Sequence, residues 1–201
     1  MALSEKALAT RQRILTAATE LFYLQGYNAT GLDKVITTAG ITKGNFYYHF
    51  KSKEELAVAT LDWQFELVSK EFKEQVLMHS NKAIDKLFKL LKFMSNRQKK
   101  QFAEGFVCGC YFGNFTLELS TMSQSIRDKV KFIFNQYLSL IKSIIQEAIN
   151  EGDIDPQEDA EQLSHIILGQ VEGAILLDKA NQQPDNFDKS IHFIKRYLGH
   201  T

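Results

Sequence analysis

Residues 42–56 read T-K-G-N-F-Y-Y-H-F-K-S-K-E-E-L, and two helices are predicted to begin within this stretch. Thr42 can cap the first helix, in which Phe46 and Phe50 stand four residues apart and face the same side. Ser52, three residues before Glu55, forms a capping box that predicts a second helix with little slack before it. Polar and aromatic side chains are then left on an exposed rim: Tyr47, Tyr48, His49, Lys51 and Lys53.

The rim has the composition of a surface that contacts a phosphate backbone. Lysines supply positive charge, tyrosine hydroxyls supply neutral donors, and the start of a helix supplies oriented N–H groups. The same residues are also compatible with a solvated surface that binds nothing. The upstream sequence helps to decide between these two interpretations.

Two further helices are predicted before the quoted stretch. Apolar residues at helical spacing predict a helix from about Thr10 to Gln25, which Gly26 ends. Thr30, with an acidic residue three positions later, is predicted to cap a short helix that runs to Thr38, and Gly40 makes the next turn. Helix, glycine turn and helix form the helix-turn-helix arrangement, whose second helix enters the major groove of DNA. Three short helices with a glycine turn also occur in bundles that bind nothing.

The quoted stretch resembles the TetR family of bacterial transcriptional repressors, whose members typically carry the run T-x-G-x-x-Y-x-H-F-x-S-K-E-x-L. The residues in register are Thr42, Gly44, Tyr47, His49, Phe50, Ser52, Lys53, Glu54 and Leu56. The resemblance implies that the helix after Thr42 reads DNA. Lys43 and Asn45 are then candidates for base edges, because Lys pairs with guanine and Asn with adenine. The predicted DNA-binding residues are Thr42, Lys43, Gly44, Asn45, Tyr47, Tyr48, His49 and Lys53, of which Tyr47, Tyr48, His49 and Lys53 are assigned to phosphate.

The distribution of charge supports a nucleic-acid partner. The chain has 201 residues, with 24 basic and 24 acidic side chains. Residues 1–53 hold 7 basic and 3 acidic residues, a balance of +4, so the remainder carries −4. Neither a signal peptide nor a run long enough to cross a bilayer is found, and we expect a cytoplasmic protein without a membrane partner.

The rest of the chain predicts an all-α fold. Only two prolines occur, and neither interrupts a long periodic stretch. We expect a helix-turn-helix domain over residues 1–53, joined by a long helix to a ligand-binding and dimerisation domain over residues 54–201. Helices are predicted at about 52–78, 83–94, 111–119, 126–151, 159–179 and 186–198, with a loop over 96–109.

The last two predicted helices are candidates for a dimer interface. Gly169 and Gly173 lie four apart, a spacing that allows another helix to approach closely. The family resemblance implies a homodimer in which these helices from two subunits form a four-helix interface. The alternative is that the apolar faces of both helices are buried within one monomer.

The middle of the chain contains an aromatic and thiol cluster interrupted by glycines. Aromatic walls with a few polar groups are typical of a pocket for a small apolar ligand, and equally of an ordinary core. The family resemblance implies a ligand-binding body and so favours a site for a small-molecule inducer. The predicted ligand-binding or sensing residues are Phe106, Cys108, Cys110, Phe112, Phe115 and Lys179.

The two cysteines, Cys108 and Cys110, are too close together in the chain for a disulfide between them to stabilise the fold, and we expect reduced thiols. A zinc site would need two further ligands at suitable spacing, so neither a metal nor a cofactor is expected. The segment from Gly109 to Ser120 is similar to that of a TetR subgroup in which some members sense electrophiles or oxidants. Cys110 is the candidate sensor, because a nearby Lys179 would lower a thiol pKa; the alternative is a buried inert cysteine.

These observations together predict a DNA-binding regulator, most simply a repressor that a small apolar or reactive ligand releases from a near-palindromic, double-stranded operator. An activator could carry the same DNA-binding module. A helical interaction protein that binds no DNA would leave the rim without a role. An enzyme is not expected, because no nucleophile and base pair, phosphate loop or metal constellation is found at a recognisable spacing.

Overall fold

The computed structural model describes residues 4–76 and 82–200, and all regular structure in these ranges is helical. The all-α fold class is therefore confirmed. The helices are α1 Glu5–Gln25, α2 Leu32–Thr38, α3 Lys43–His49, α4 Lys53–Gln75, α5 Ala83–Ala103, α6 Tyr111–Leu119, α7 Gln124–Glu151, α8 Ala160–Asn181 and α9 Asn186–Tyr197.

The chain forms two compact units. The first contains the residues up to Val68 together with Tyr111–Lys131, and the second contains Ser69–Cys110 and the residues from Phe132 onward. The first unit thus adds the start of α4, all of α6 and the start of α7 to the predicted module 1–53. The division at residue 53 itself stays a prediction.

The first unit is held together by apolar side chains from its successive helices. Val35 and Phe46 are fully buried, and Phe22 and Phe50 are nearly so. Burial of one such side chain stabilises a fold by about 1.5–3 kcal/mol. The short helices α2 and α3 therefore keep their positions through the core, since helices of this length are marginal alone.

The predicted caps were largely confirmed. The Thr42 side chain accepts a hydrogen bond from the Asn45 N–H at 3.2 Å. Ser52 Oγ accepts from the Glu55 N–H at 3.0 Å, while the Glu55 carboxylate accepts from the Lys51 N–H at 2.8 Å. The chain therefore passes from α3 to α4 through a connection fixed by side chains at both helix starts.

The Thr30 cap was wrong. Gly31 occupies the N-cap position of α2 and provides no side-chain bond. Thr30 is buried instead, and its hydroxyl donates to the carbonyls of Leu21 at 3.3 Å and Gly26 at 2.7 Å. This threonine closes the end of α1 rather than opening α2. The first helix also begins earlier than predicted, at Glu5, where Ser4 caps it.

The loop predicted over 96–109 was also wrong in its first half, because α5 continues to Ala103. Most residues of α5 beyond Asn96 are polar but are good helix formers. Arg97 binds Glu71 at 2.5 Å, and Gln98 donates to the Gly109 carbonyl at 3.4 Å. Contacts across the second unit therefore maintain the helix where the apolar periodicity stops. The predicted end of the preceding helix at Met78 lies outside the described residues.

The second unit brings α5, α8 and α9 together. Asp178 is fully buried near the end of α8, where its carboxylate accepts from the N–H groups of Asn186 and Phe187 at 2.8 and 3.3 Å. These bonds cap α9 from a neighbouring helix, since Asp185 at the N-cap position makes no side-chain cap bond.

Candidate DNA-binding surface

Helix α3 is anchored by aromatic side chains on its inner face. Phe46 and Phe50 lie with their ring centroids 5.9 Å apart, and the Arg11 guanidinium sits 4.3 Å from the centre of the Phe50 ring. Arg11 Nη1 also donates to the His49 carbonyl at 3.2 Å. One arginine of α1 thus fixes both the core side of α3 and its C-terminal end.

The opposite face of α3 is open to solvent from its first residue. Tyr47 is 50% and Tyr48 is 67% exposed. A Cβ placed on Gly44 would meet only Thr42 Oγ1, at 3.9 Å, so the missing side chain leaves the start of the helix uncovered. The exposed predicted residues are Thr42, Lys43, Gly44, Asn45, Tyr47 and Tyr48, while His49 and Lys53 are partly buried. A groove of DNA can therefore reach the N-terminal part of α3 directly.

Lys43 is available for such contacts. Its Nζ lies 3.8 Å from Asp33 Oδ1, and both side chains are largely exposed. An ion pair of this kind contributes about 0–1 kcal/mol. It can therefore be exchanged for a contact to a base or phosphate at little cost.

His49 differs from its neighbours because it turns partly inward. Burial lowers the pKa of His49, and the positive charge of Arg11 lowers it further. The neutral form of the ring is therefore favoured, and this form can donate one N–H to a phosphate without adding charge.

Lys53 has a partner within the protein. Its Nζ donates to the Tyr27 carbonyl at 2.6 Å and lies 3.9 Å from the centre of the Tyr27 ring. Burial lowers the pKa of Lys53, an effect that Glu118 opposes. Lys53 therefore ties the start of α4 to the turn after α1, and its role toward phosphate stays a prediction.

The sequence-based predictions missed Glu118 on α6, which holds the same turn. Its two carboxylate oxygens accept from the N–H groups of Tyr27 and Asn28 at 2.9 and 2.6 Å. Gly26 has φ +86°, and a Cβ there would lie 3.3 Å from Glu118 Oε2, so a side chain would be both strained and crowded. In the sequence, the only indication of this role was that Glu118 is an acidic residue between Leu117 and Leu119.

Glu54 and Asp62 connect α4 to the start of α7. Glu54 accepts hydrogen bonds from Ser125 and Ser123, and these bonds lower the pKa of Glu54. Further along, Lys129 Nζ binds Asp62 Oδ1 at 2.8 Å. The helix that follows α3 is therefore fixed within the first unit by polar contacts as well as by its core.

The predicted ligand residues are divided between the two units. Phe112 and Phe115 are buried in the first unit, where the Phe115 ring centroid lies 5.9 Å from that of Phe22 on α1. Phe106 belongs to the second unit and is 50% exposed. The structure therefore does not collect these aromatic side chains into one group within either unit.

The cysteines and Lys179 lie in the second unit. Neither cysteine forms a disulfide; Cys108 is buried and Cys110 is partly exposed. Burial raises the pKa of Cys108, while the charge of Lys179 acts in the opposite direction. Lys179 therefore acts on the Cys108 thiol, and its predicted action on Cys110 stays a prediction. Within residues 4–76 and 82–200, no group of three or more His, Cys, Asp or Glu could hold a metal ion.

The geometry of α2 and α3 defines a DNA-binding module of the helix-turn-helix class, with an uncovered second helix of basic and polar character. Residues 14–60 match the description "Bacterial regulatory proteins, tetR family", and residues 83–194 match "Tetracyclin repressor-like, C-terminal domain". The chain therefore belongs to the TetR family of DNA-binding transcriptional regulators. Members of this family bind DNA operators and form dimers, with small molecules as ligands.

Individual relatives support this assignment. The regulator YhgD of Bacillus subtilis (strain 168) is 30% identical, covering 87% of this chain and 86% of its own. The repressor DhaR of Mycobacterium sp. (strain GP1) is 25% identical, covering 89% and 87%. The crystal structure of a TetR regulator from Chloroflexus aurantiacus J-10-FL superimposes with a TM-score of 0.86 at 26% identity, covering 98% and 97%. Among the described residues, no helix is long and apolar enough to cross a membrane.

Proposed function

We propose that this regulator is a repressor that binds a near-palindromic operator as a homodimer and is released by a small ligand. The observation that carries the proposal is the exposed N-terminal half of α3, where Lys43 and Asn45 stand beside Gly44 without covering side chains. Two such helices related by a two-fold axis would contact half-sites about one helical turn apart, roughly 34–36 Å. Acting on chromosomal DNA, the protein would work in the cytoplasm.

Exposed apolar residues on α8 and α9 support a homodimer. Ile166, Leu176 and Leu177 on α8 are each more than half exposed, as are Phe193 and Tyr197 on α9. A Cβ at Gly169 or Gly173 would meet nothing within 4 Å, so a helix of a second copy could approach closely. Large apolar patches of this kind mark interaction surfaces in soluble proteins.

The experiment that tests repression is an electrophoretic mobility shift with DNA from upstream of the protein's own gene, followed by transcription in vitro. A repressor retards this DNA and lowers transcription, whereas an activator of the same family would retard it and raise transcription. A helical interaction protein would leave the DNA unshifted.

For a reactive ligand, we propose that Cys110 is the sensor thiol. Its partial exposure supports this assignment, since a reagent can reach it more easily than the buried Cys108. Quinone or hypochlorite treatment is expected to weaken operator binding of the wild type and of Cys108→Ser, but not of Cys110→Ser. Unchanged operator affinity of the treated wild type would remove the proposal.

A further inference from the structure

Partly buried polar side chains meet inside the second unit without a role in DNA binding. The Cys110 thiol is hydrogen-bonded to the Glu172 carboxyl of α8. The hydroxyl of Tyr137 on α7 interacts electrostatically with Cys110, Glu172 and Arg97. On α5, Gln98 Nε2 donates to the carbonyl of Gly109, the residue before Cys110. We call these five side chains the interior polar cluster: Arg97, Gln98, Cys110, Tyr137 and Glu172.

One member of the cluster lacks a hydrogen bond that it could make. Gln98 is 4% exposed, and its Oε1 is buried without a partner. An unpaired buried acceptor costs about 1–3 kcal/mol, and native proteins rarely leave one without a reason. A bound molecule that donates a hydrogen bond would remove this cost.

The groups around Glu172 indicate which kind of ligand would suit this carboxyl. The Arg97 guanidinium already has a carboxylate partner, since its Nη1 lies 2.5 Å from Glu71 Oε2. The hydrogen-bond donor that acts on Glu172 is the Cys110 thiol, which is a weak donor. Burial raises the pKa of Glu172, so this carboxyl would be favoured by a positively charged partner. An anionic ligand would not provide such a partner for Glu172.

We propose that the interior polar cluster binds a small amine, in which a protonated nitrogen on an apolar body donates to Glu172, with Gln98 Oε1 as a second acceptor in the same cluster. A charge-assisted hydrogen bond to a carboxylate is stronger than a neutral one. A few polar groups that orient an otherwise apolar molecule are typical of ligand sites. The inference rests on the proposed release by a small ligand and gives that ligand its chemical class.

Isothermal titration of the full chain with matched probes tests the proposal. The amines are hexylamine, 2-phenylethylamine and 4-phenylbutylamine, compared with the corresponding alcohols and with phenylacetate. We expect at least one amine to bind tenfold or more tightly than its alcohol, and phenylacetate to bind more weakly still. Absence of amine binding to the wild type, or equal affinity for amine and alcohol, would overturn the proposal.

Two variants assign the effect to the cluster. Glu172→Gln keeps the shape of the side chain and removes its charge, so the preference for amine over alcohol should fall close to one. Gln98→Leu removes the unpaired acceptor and should weaken amine binding severalfold. The exposed Glu74 of α4 provides the control, and Glu74→Gln should retain the full amine preference. A preference that survives in Glu172→Gln contradicts the assignment.

Operator binding is measured separately on the same ligand-free proteins. If DNA is bound but no amine is, the ligand class is wrong and the repressor proposal stands. If the amine is bound but no DNA is, the repressor proposal fails while the amine site is retained.

Discussion

At the scale of single residues, the candidate DNA-binding surface contains side chains that are open to a partner and others that are already held by the protein. Lys43 is largely exposed, whereas Lys53 binds the carbonyl and ring of Tyr27. Two lysines that look equivalent in the sequence therefore differ in what a substitution removes. Base recognition and phosphate contact can be tested apart on this basis.

We expect Asn45→Ala to change which operator sequence is preferred, because a bidentate asparagine contact to adenine contributes about 1–3 kcal/mol of discrimination. Lys53→Ala should weaken binding to all sequences alike and lower the slope of log affinity against log salt by about 0.9. The measurement is fluorescence anisotropy with operator and scrambled duplexes over a range of salt concentrations. Equal, sequence-independent losses from both substitutions would refute the division of labour. Lys70→Ala, at an exposed position of α4 outside the rim, serves as the control for general charge loss.

At the scale of elements, the turn between α1 and α2 is held from both sides. Glu118 of α6 accepts from the N–H groups of Tyr27 and Asn28, and Lys53 at the start of α4 donates to the Tyr27 carbonyl. The turn leads directly into the two helices that would contact DNA. A movement of α6 would therefore alter the support of that module without unfolding it.

Glu118→Gln tests this connection. Glutamine has a single acceptor oxygen, so one of the two backbone N–H groups loses its partner, at a cost of about 1 kcal/mol for a partly exposed site. We expect a lower melting temperature and a severalfold loss of operator affinity, both measured on the ligand-free protein. The exposed Glu20 of α1 offers a matched control, and Glu20→Gln should change neither quantity. Unchanged stability and affinity in Glu118→Gln would show that the turn does not depend on α6.

The local features of this module could be predicted from the sequence because they depend on neighbours along the chain. The spacing of Phe46 and Phe50 and the caps at Thr42 and Ser52 are of this kind, and the structure contains them. Glu118 could not be predicted, since nothing within α6 indicates which turn it will meet.

The extent of α5 shows the same limit. The apolar periodicity ends near Met94, but the helix continues because Gln98 and its neighbours find partners distant in the chain. A prediction based on periodicity stops where tertiary contacts take over. The interior polar cluster could not be predicted from the sequence for this reason, since its members come from four separate segments.

At the scale of the whole molecule, release from DNA requires only a modest coupling between ligand and operator. The chain passes between the two units within α4, between Cys110 and Tyr111, and within α7. A coupling free energy of about 1–3 kcal/mol already weakens binding roughly 5–150-fold. A small change in the spacing of two half-site contacts could supply it.

Dimer formation can be tested on the exposed face of α8 and α9. Leu176→Asp combined with Phe193→Asp places two charges where a second copy is proposed to pack, and both wild-type side chains are about half exposed. We expect sedimentation to show a monomer at micromolar concentration and operator affinity to fall at least 100-fold. Leu117→Asp on α6 replaces a residue that is 74% exposed and should leave the dimer intact. A wild-type protein that sediments as a monomer at this concentration would contradict the proposed dimer.

The most direct test of the central claim is a titration of the ligand-free wild type against duplexes from upstream of its own gene at low salt, with a footprint of the bound site. The account predicts one protected near-palindrome whose two half-sites lie about one helical turn apart. A protein that binds none of these duplexes, or that protects DNA without a repeated half-site, would contradict it.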